Sequence, residues 1–159
     1  MDVLEETLAL TAGDWGTAAV MDFAAVTGFP EMPGRPAVEV TAEAVQDAAL
    51  RFRGRRVALL NFASGVSPGG GVRYGARAQE EAICLCSGLL HGLEAHPEYY
   101  ERNSSDDAPD WCHDQMIWSE GVPLVRDGAE RLVAPMRVDV ITYPAPNVFR
   151  RKYVGGGTF

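Results

Sequence analysis

The chain has 159 residues, 47% of them hydrophobic and 23% charged, which excludes wholesale disorder and suits one domain of ordinary size. Lys and Arg number 14 against 22 Asp and Glu, a formal net charge of -8 that argues against a protein coating DNA or RNA with a basic face. A small anionic ligand held by backbone amides stays open, because amides need no cationic neighbour.

The acidic start Met1-Asp2-Val3-Leu4-Glu5-Glu6 lacks the basic-then-apolar order of a secretory signal, and no apolar run approaches the ~18 residues of a membrane span. Leu4 to Leu10 reads as a short helix. The Ala- and Gly-rich stretch behind it ends in Pro30, Pro33 and Pro36, which cannot continue a helix, so residues 1–36 form a helical segment and a connector. Thr41 is placed to cap a helix from Ala42 to about Phe52, with Val45, Ala48, Ala49 and Phe52 on one face. Arg53-Gly54 ends it. The run Val57 to Ala63 is nearly all apolar and predicts a strand buried on both faces of a parallel or mixed sheet.

Ser64 to Gly75 is a loop around Pro68-Gly69-Gly70-Gly71, followed by a predicted helix from Ala76–Ala78 to Leu90 whose buried stripe is Ala78, Ala82, Leu85 and Leu89. Cys84 and Cys86 lie in that helix. With Cys112 they are three in number and irregularly spaced, against a disulfide framework and in favour of a reducing cytoplasm. The same spacing does not suit structural zinc, so no metal is expected and buried apolar thiols are. His96 to Asp114 is polar and irregular and reads as a surface excursion, with Tyr99, Tyr100 and Trp111 as packing or loop residues. Short strands are expected at Met116–Trp118 and Leu124–Gly128, and a β-branched one at Val138–Thr142. Tyr143-Pro144-Ala145-Pro146-Asn147 closes the last strand, and a basic then glycine-rich tail, 148–159, follows. Helix, buried strand, glycine-rich loop, helix is the order of an α/β layered fold.

The chemistry concentrates in Gly69-Gly70-Gly71-Val72-Arg73-Tyr74-Gly75-Ala76-Arg77-Ala78-Gln79-Glu80-Glu81. Glycines after a strand let the backbone take positive φ and come close to a ligand. Their amides, beside a helix N-terminus, are suited to a phosphate or diphosphate. Glu80 and Glu81 fall in the first helical turn, about 100° apart, so they contact different parts of a ligand. Paired carboxylates in this setting suggest glycosidic chemistry, in which an acid protonates a leaving oxygen while an oxocarbenium-like centre forms. The helix dipole lowers the pKa of such a Glu, and apolar walls or a diphosphate raise it, without a winner visible from sequence. Taken singly, the carboxylates would read as solvated first-turn residues and the glycines as a flexible connector. A dinucleotide fingerprint fails, since the sixth position from Gly69 is Tyr74, and no Gly-Lys pair offers a Walker loop.

Three glycines, seven residues and Gln79-Glu80-Glu81 resemble the signature of poly(ADP-ribose) glycohydrolases, and the flanks resemble the microbial-type branch, a divergent macrodomain. Val57 to Ser64 is similar to the strand entering that signature, and Met116-Ile117-Trp118-Ser119, Val122 to Asp127 and Val140 to Asn147 follow the family order. The resemblance covers roughly Val40 to Asn147 and implies a macrodomain-like three-layer α/β/α fold with a mixed sheet, one domain over 1–159 with 37–147 as its core. It implies a hydrolase that removes poly- or mono-ADP-ribose from modified macromolecules, with no metal and no cofactor. Glu81 would protonate the leaving ribose oxygen and then activate water, Glu80 would hydrogen-bond a ribose hydroxyl, and Gln79 would help orient the acid. Gly69, Gly70 and Gly71 would cradle diphosphate or ribose, and Asn61 would contact a ribose. The family carries a second phosphate loop of Gly-x-Gly-x-Phe type after a further helix and strand. Here Gly155, Gly157 and Phe159 match that spacing, but too few residues precede them for a crossover, so a C-terminally shortened fold is expected. The alternative expectation is a module that binds ADP-ribose and cleaves it weakly or not at all. An uncompleted sheet edge would favour homo-oligomers.

Overall fold

In the computed structural model the described residues are 2–22, 34–105, 108–109 and 112–144. Five helices and four strands follow in the order α1 (Val3–Thr11), β1 (Thr17–Asp22), α2 (Val45–Leu50), β2 (Ala58–Ala63), α3 (Gln79–Cys86), α4 (Leu89–Glu94), α5 (Pro97–Ser104), β3 (Gln115–Arg126) and β4 (Leu132–Pro144), with a 3-10 turn at Val72–Tyr74. The strands form one mixed sheet in the order β1-β3-β4-β2, antiparallel except for the parallel pair β2–β4. The protein is therefore α/β with a mixed sheet, as its element order implied.

Parallel pairing sets Asn61 opposite Thr142 and Ala63 opposite Pro144, so β2 and β4 end together beside the glycine loop. One face of the sheet carries Leu59, Ile117, Val138 and Val140 into a single core with Leu4 of α1, Ala49 of α2, Ile83 and Cys84 of α3, Leu89, Leu90 and Leu93 of α4 and Tyr99 of α5. Buried Arg126 locks this layer: Nε donates to Thr7 Oγ1 at 2.8 Å, a terminal nitrogen donates to Glu6 at 2.6 Å, and Thr7 Oγ1 in turn donates to the Leu85 carbonyl at 2.8 Å. α1, α3 and β3 are thus joined through one guanidinium. The opposite sheet face bears Leu60, Phe62, Met21 and Trp118, and no described helix covers it; the second helical layer of the expected three-layer arrangement is not among the described elements. No helix among the described residues is long and apolar enough to cross a membrane.

Several local expectations are corrected. β2 alternates exposed and buried positions rather than burying both faces, because no described helix covers the sheet face that bears Leu60 and Phe62. β1 forms inside the supposed connector by pairing along β3 from Thr17↔Glu120 to Asp22↔Gln115. α2 starts later than expected, with Ala44 rather than Thr41 at its N-cap. The helix expected through Leu90 breaks at Ser87, whose backbone turns extended to bridge Leu124 while Gly88 N–H donates to Pro123 O at 3.0 Å. The first of these helices buries Glu80, Glu81, Ile83, Cys84, Leu85 and Cys86, not Ala78. The supposed excursion after His96 holds α5, opened by Pro97 at its first turn and burying Tyr99, Tyr100 and Asn103. The two short strands expected after Gln115 are one strand, bulged between Ser119 and Val122. Trp111, Asn147 and the 148–159 tail with Gly155, Gly157 and Phe159 lie outside the described residues.

Candidate active site

The segment from Ser64 to Gly75 is held by its own hydrogen bonds. Ser64 Oγ accepts from Ser67 N–H at 3.1 Å, Ser67 O accepts from Gly70 N–H at 3.0 Å, and Ser67 Oγ donates to Gly70 O at 3.0 Å. Such hydroxyl-to-backbone turns fix a loop without secondary structure. Gly70 has φ +58, and a Cβ there would collide with Glu81 Oε1 and come within 3.0 Å of Glu80 Oε2. Its missing side chain is what lets both carboxyls sit on the bend.

The two acids are buried and held differently. Glu81 Oε1 accepts from Gly71 N–H at 2.8 Å, and its Oε2 accepts from Ala78 N–H, three residues earlier, at 3.0 Å. Glu80 Oε2 accepts from Ser64 N–H at 2.8 Å, whereas its buried Oε1 has no hydrogen-bond partner among the described residues. Burial pushes the Glu80 carboxyl up to about 7; the N–H groups of Ser64 and Gly69 and the Asn61 side chain pull the other way, and the charge of Glu81 adds to the rise. For Glu80, burial outweighs the hydrogen bonds from the loop and from Asn61.

The structure brings Glu80, Glu81, the glycine bend, Gln79 and Asn61 together. The Gly70 and Gly71 amides, expected to face a diphosphate, are committed to Ser67 O and to Glu81, so the group this bend holds is the Glu81 carboxyl. Gln79 grips the free edge of β2: its Oε1 accepts from Phe62 N–H at 2.8 Å and its Nε2 donates to Leu60 O at 2.7 Å. It therefore pins the first turn of α3 to the strand. Asn61 is fully buried beneath them, and its Nδ2 donates to Thr142 Oγ1 at 3.3 Å. Ser64, Ser67 and Thr142 were not singled out from sequence. The Ser-x-x-Ser spacing ahead of the glycines could have pointed to the first two; nothing local points to Thr142. Cys84 and Cys86 are buried free thiols, and among the described residues no group of His, Cys, Asp and Glu could hold a metal ion.

Residues 16–127 match the family described as microbial-type PARG, catalytic domain. Among solved structures, poly(ADP-ribose) glycohydrolase from Thermomonospora curvata is similar at 34% identity and a TM-score of 0.77, covering 99% of this chain and 57% of that one. The same enzyme bound to the inhibitor ADP-HPD gives 33% and 0.71, covering 97% and 54%. The Deinococcus radiodurans poly(ADP-ribose) glycohydrolase in complex with ADP-ribose gives 39% and 0.64, covering 73% and 47%. The chain thus spans about half the length of these structures. A search of curated proteins finds no match.

Proposed function

The chain belongs to the microbial-type poly(ADP-ribose) glycohydrolase family, and on that premise we propose that it is a macrodomain-like hydrolase cleaving O-glycosidic ADP-ribose linkages on modified macromolecules. Glu81 donates a proton to the departing ribose oxygen as the C1″–O bond breaks. Its carboxylate then takes a proton from the water that attacks C1″, which restores the acid and leaves free ADP-ribose. Glu80 hydrogen-bonds a ribose hydroxyl, and Asn61 and Gln79 support the site from below and from the strand edge. Gly69, Gly70 and Gly71 let the sugar approach closely because no Cβ intervenes.

The observation that carries this reading is the seat of Glu81 on the Gly71 N–H with Glu80 beside it. A second reading has an observation of its own: the Gly70 and Gly71 amides and both Glu81 oxygens are already engaged, as in a module that holds ADP-ribose without cleaving it. Incubation with ADP-ribosylated protein, followed by assay of free ADP-ribose, decides between them beside a calorimetric titration with ADP-ribose. Release supports the hydrolase, binding without release supports the module, and neither defeats both. The buried free thiols Cys84 and Cys86 support a cytoplasmic setting. Self-association through the β2 edge is expected to be weak, because Gln79 already occupies the Phe62 N–H and the Leu60 carbonyl.

A further inference from the structure

The Glu81 carboxyl has two main-chain donors of different reach. Ala78 N–H, at 3.0 Å from Oε2, belongs to the start of the same helix and sets the side chain only against α3. Gly71 N–H, at 2.8 Å from Oε1, is the one that ties the carboxyl to the glycine bend. Where Glu81 stands over the bend therefore depends on how the Gly70–Gly71 peptide is turned.

That peptide is a soft unit. It lies in the middle of the turn closed by Val72 N–H on Gly69 O at 3.1 Å. Gly70 has φ +58 and Gly71 φ -100, and a glycine takes either sign of φ about equally well. With no Cβ on either flank the plane can turn over, as between turn types that differ in their central peptide, and in the turned state Gly71 N–H leaves Glu81. The main-chain bonds of the loop do not prevent this. Gly70 N–H on Ser67 O closes the Pro68–Gly69 turn, and Tyr74 N–H and Ala76 N–H both fall on Gly71 O. These groups belong to the peptides on either side, not to the one between Gly70 and Gly71.

The Ser67 hydroxyl acts on that peptide itself, donating from Oγ to Gly70 O at 3.0 Å. The peptide is trans, so its C=O and N–H point in opposite directions. Holding the oxygen on Ser67 aims the nitrogen at Glu81. A donor on the carbonyl also polarises the amide and strengthens the bond its N–H makes. We propose that Ser67 is a positioning residue, whose hydroxyl locks the Gly70–Gly71 peptide with its N–H on the Glu81 carboxyl. The lock is anchored to the end of β2: Ser67 N–H donates to Ser64 Oγ at 3.1 Å, and Ser64 N–H donates to Glu80 Oε2 at 2.8 Å. One run of hydrogen bonds thus sets both acids. Its use in turnover rests on the hydrolase reading; the lock does not.

The test compares the wild type with Ser67→Ala and Ser67→Thr. In the ligand-free protein, hydrogen exchange of the Gly71 amide, followed by NMR, should quicken about tenfold in Ser67→Ala and return to the native rate in Ser67→Thr, which keeps the hydroxyl. The Gly70 amide, whose acceptor is the Ser67 main chain, should keep its rate in both variants. General loosening of the loop would instead release the two amides together. In release of ADP-ribose, Ser67→Ala should lower kcat about tenfold with KM unchanged, and Ser67→Thr should restore kcat. A Gly71 amide that exchanges at the native rate in Ser67→Ala, or that loosens together with Gly70, overturns the proposal, and so does a native kcat in Ser67→Ala. A wild type that releases no ADP-ribose defeats the hydrolase reading instead, and Gly71 exchange then still decides the lock.

Discussion

The Glu81 carboxyl meets the main-chain N–H of Gly71 at 2.8 Å, so the acid on α3 is seated on the bend ten residues before it. The second oxygen closes on Ala78 N–H at 3.0 Å at the start of the same helix. Position is therefore set by two backbone donors, and the chemistry by the carboxyl itself. Glu81→Gln preserves the shape but has no proton to give. Its amide carbonyl can keep one N–H, while its NH2 faces the other, a loss of about 1–2 kcal/mol. The variant should fold, with unchanged far-UV circular dichroism, and release ADP-ribose about 10²–10⁴-fold more slowly. Turnover at the native rate would remove Glu81 from the mechanism.

Gly70 tests the seat from the other side. Its φ of +58 already disfavours any Cβ, and an added methyl would strike Glu81 Oε1 and crowd Glu80 Oε2 at 3.0 Å. Backbone strain alone costs roughly 1–2 kcal/mol. Gly70→Ala should lower the midpoint of thermal unfolding by several degrees and abolish ADP-ribose release. Gly54 also has positive φ, at +87, but a Cβ there meets nothing within 4 Å. Gly54→Ala should therefore cost a similar amount of stability and leave activity unchanged, which separates strain from displacement of the acids.

Glu80 makes stability depend on pH. Its carboxyl is raised from the ordinary 4.5 to about 7, so between those values the folded state binds a proton that the unfolded chain has released. The contribution is fully present below about pH 4.5 and is lost as pH rises through about 7. Its full size is of the order of 3 kcal/mol by the conversion of pKa to free energy. Chemical denaturation at pH 5, 6, 7 and 8 should show this decline in the wild type, and Glu80→Gln should flatten it. An identical slope in the two proteins would show that Glu80 does not titrate in that window.

What could be read from sequence was local. Gly69 to Glu81 lie within thirteen residues, and both the bend and the carboxylate pair follow from residue type and spacing. The contacts that complete the site join distant positions. Asn61 meets Thr142 across 81 residues, and Arg126 meets Thr7 across 119. No local period announces such pairs, so residue type and spacing point neither to Thr142 nor to what Asn61 meets in the chain. α5 was hidden for another reason. Its eight residues Pro97–Ser104 are polar on average, and only Tyr99, Tyr100 and Asn103 turn inward, too few for a visible apolar stripe. β2 differs through context: an apolar run reads as doubly buried, yet no described helix covers the sheet face that bears Leu60 and Phe62.

Gln79 connects that edge to the acids. Its carboxamide imitates a neighbouring strand, accepting from Phe62 N–H at 2.8 Å and donating to Leu60 O at 2.7 Å. Both ends are needed. Gln79→Glu keeps an acceptor for Phe62 but sets a second acceptor against the Leu60 carbonyl, and Gln79→Ala frees both strand groups to water. Because the contact is exposed, the stability cost should stay at about 1 kcal/mol in either variant. The effect on turnover should be larger, since the first turn of α3 that carries Glu80 and Glu81 loses its tie to β2. ADP-ribose release should fall at least tenfold in both variants, with kcat affected more than KM because the acid is displaced rather than the binding surface removed. The uncovered strand groups should also raise the mass observed by size-exclusion light scattering for Gln79→Ala, since β2 then offers a free edge for pairing. A monomeric Gln79→Ala with native kcat would show that the strand edge and the acids are independent.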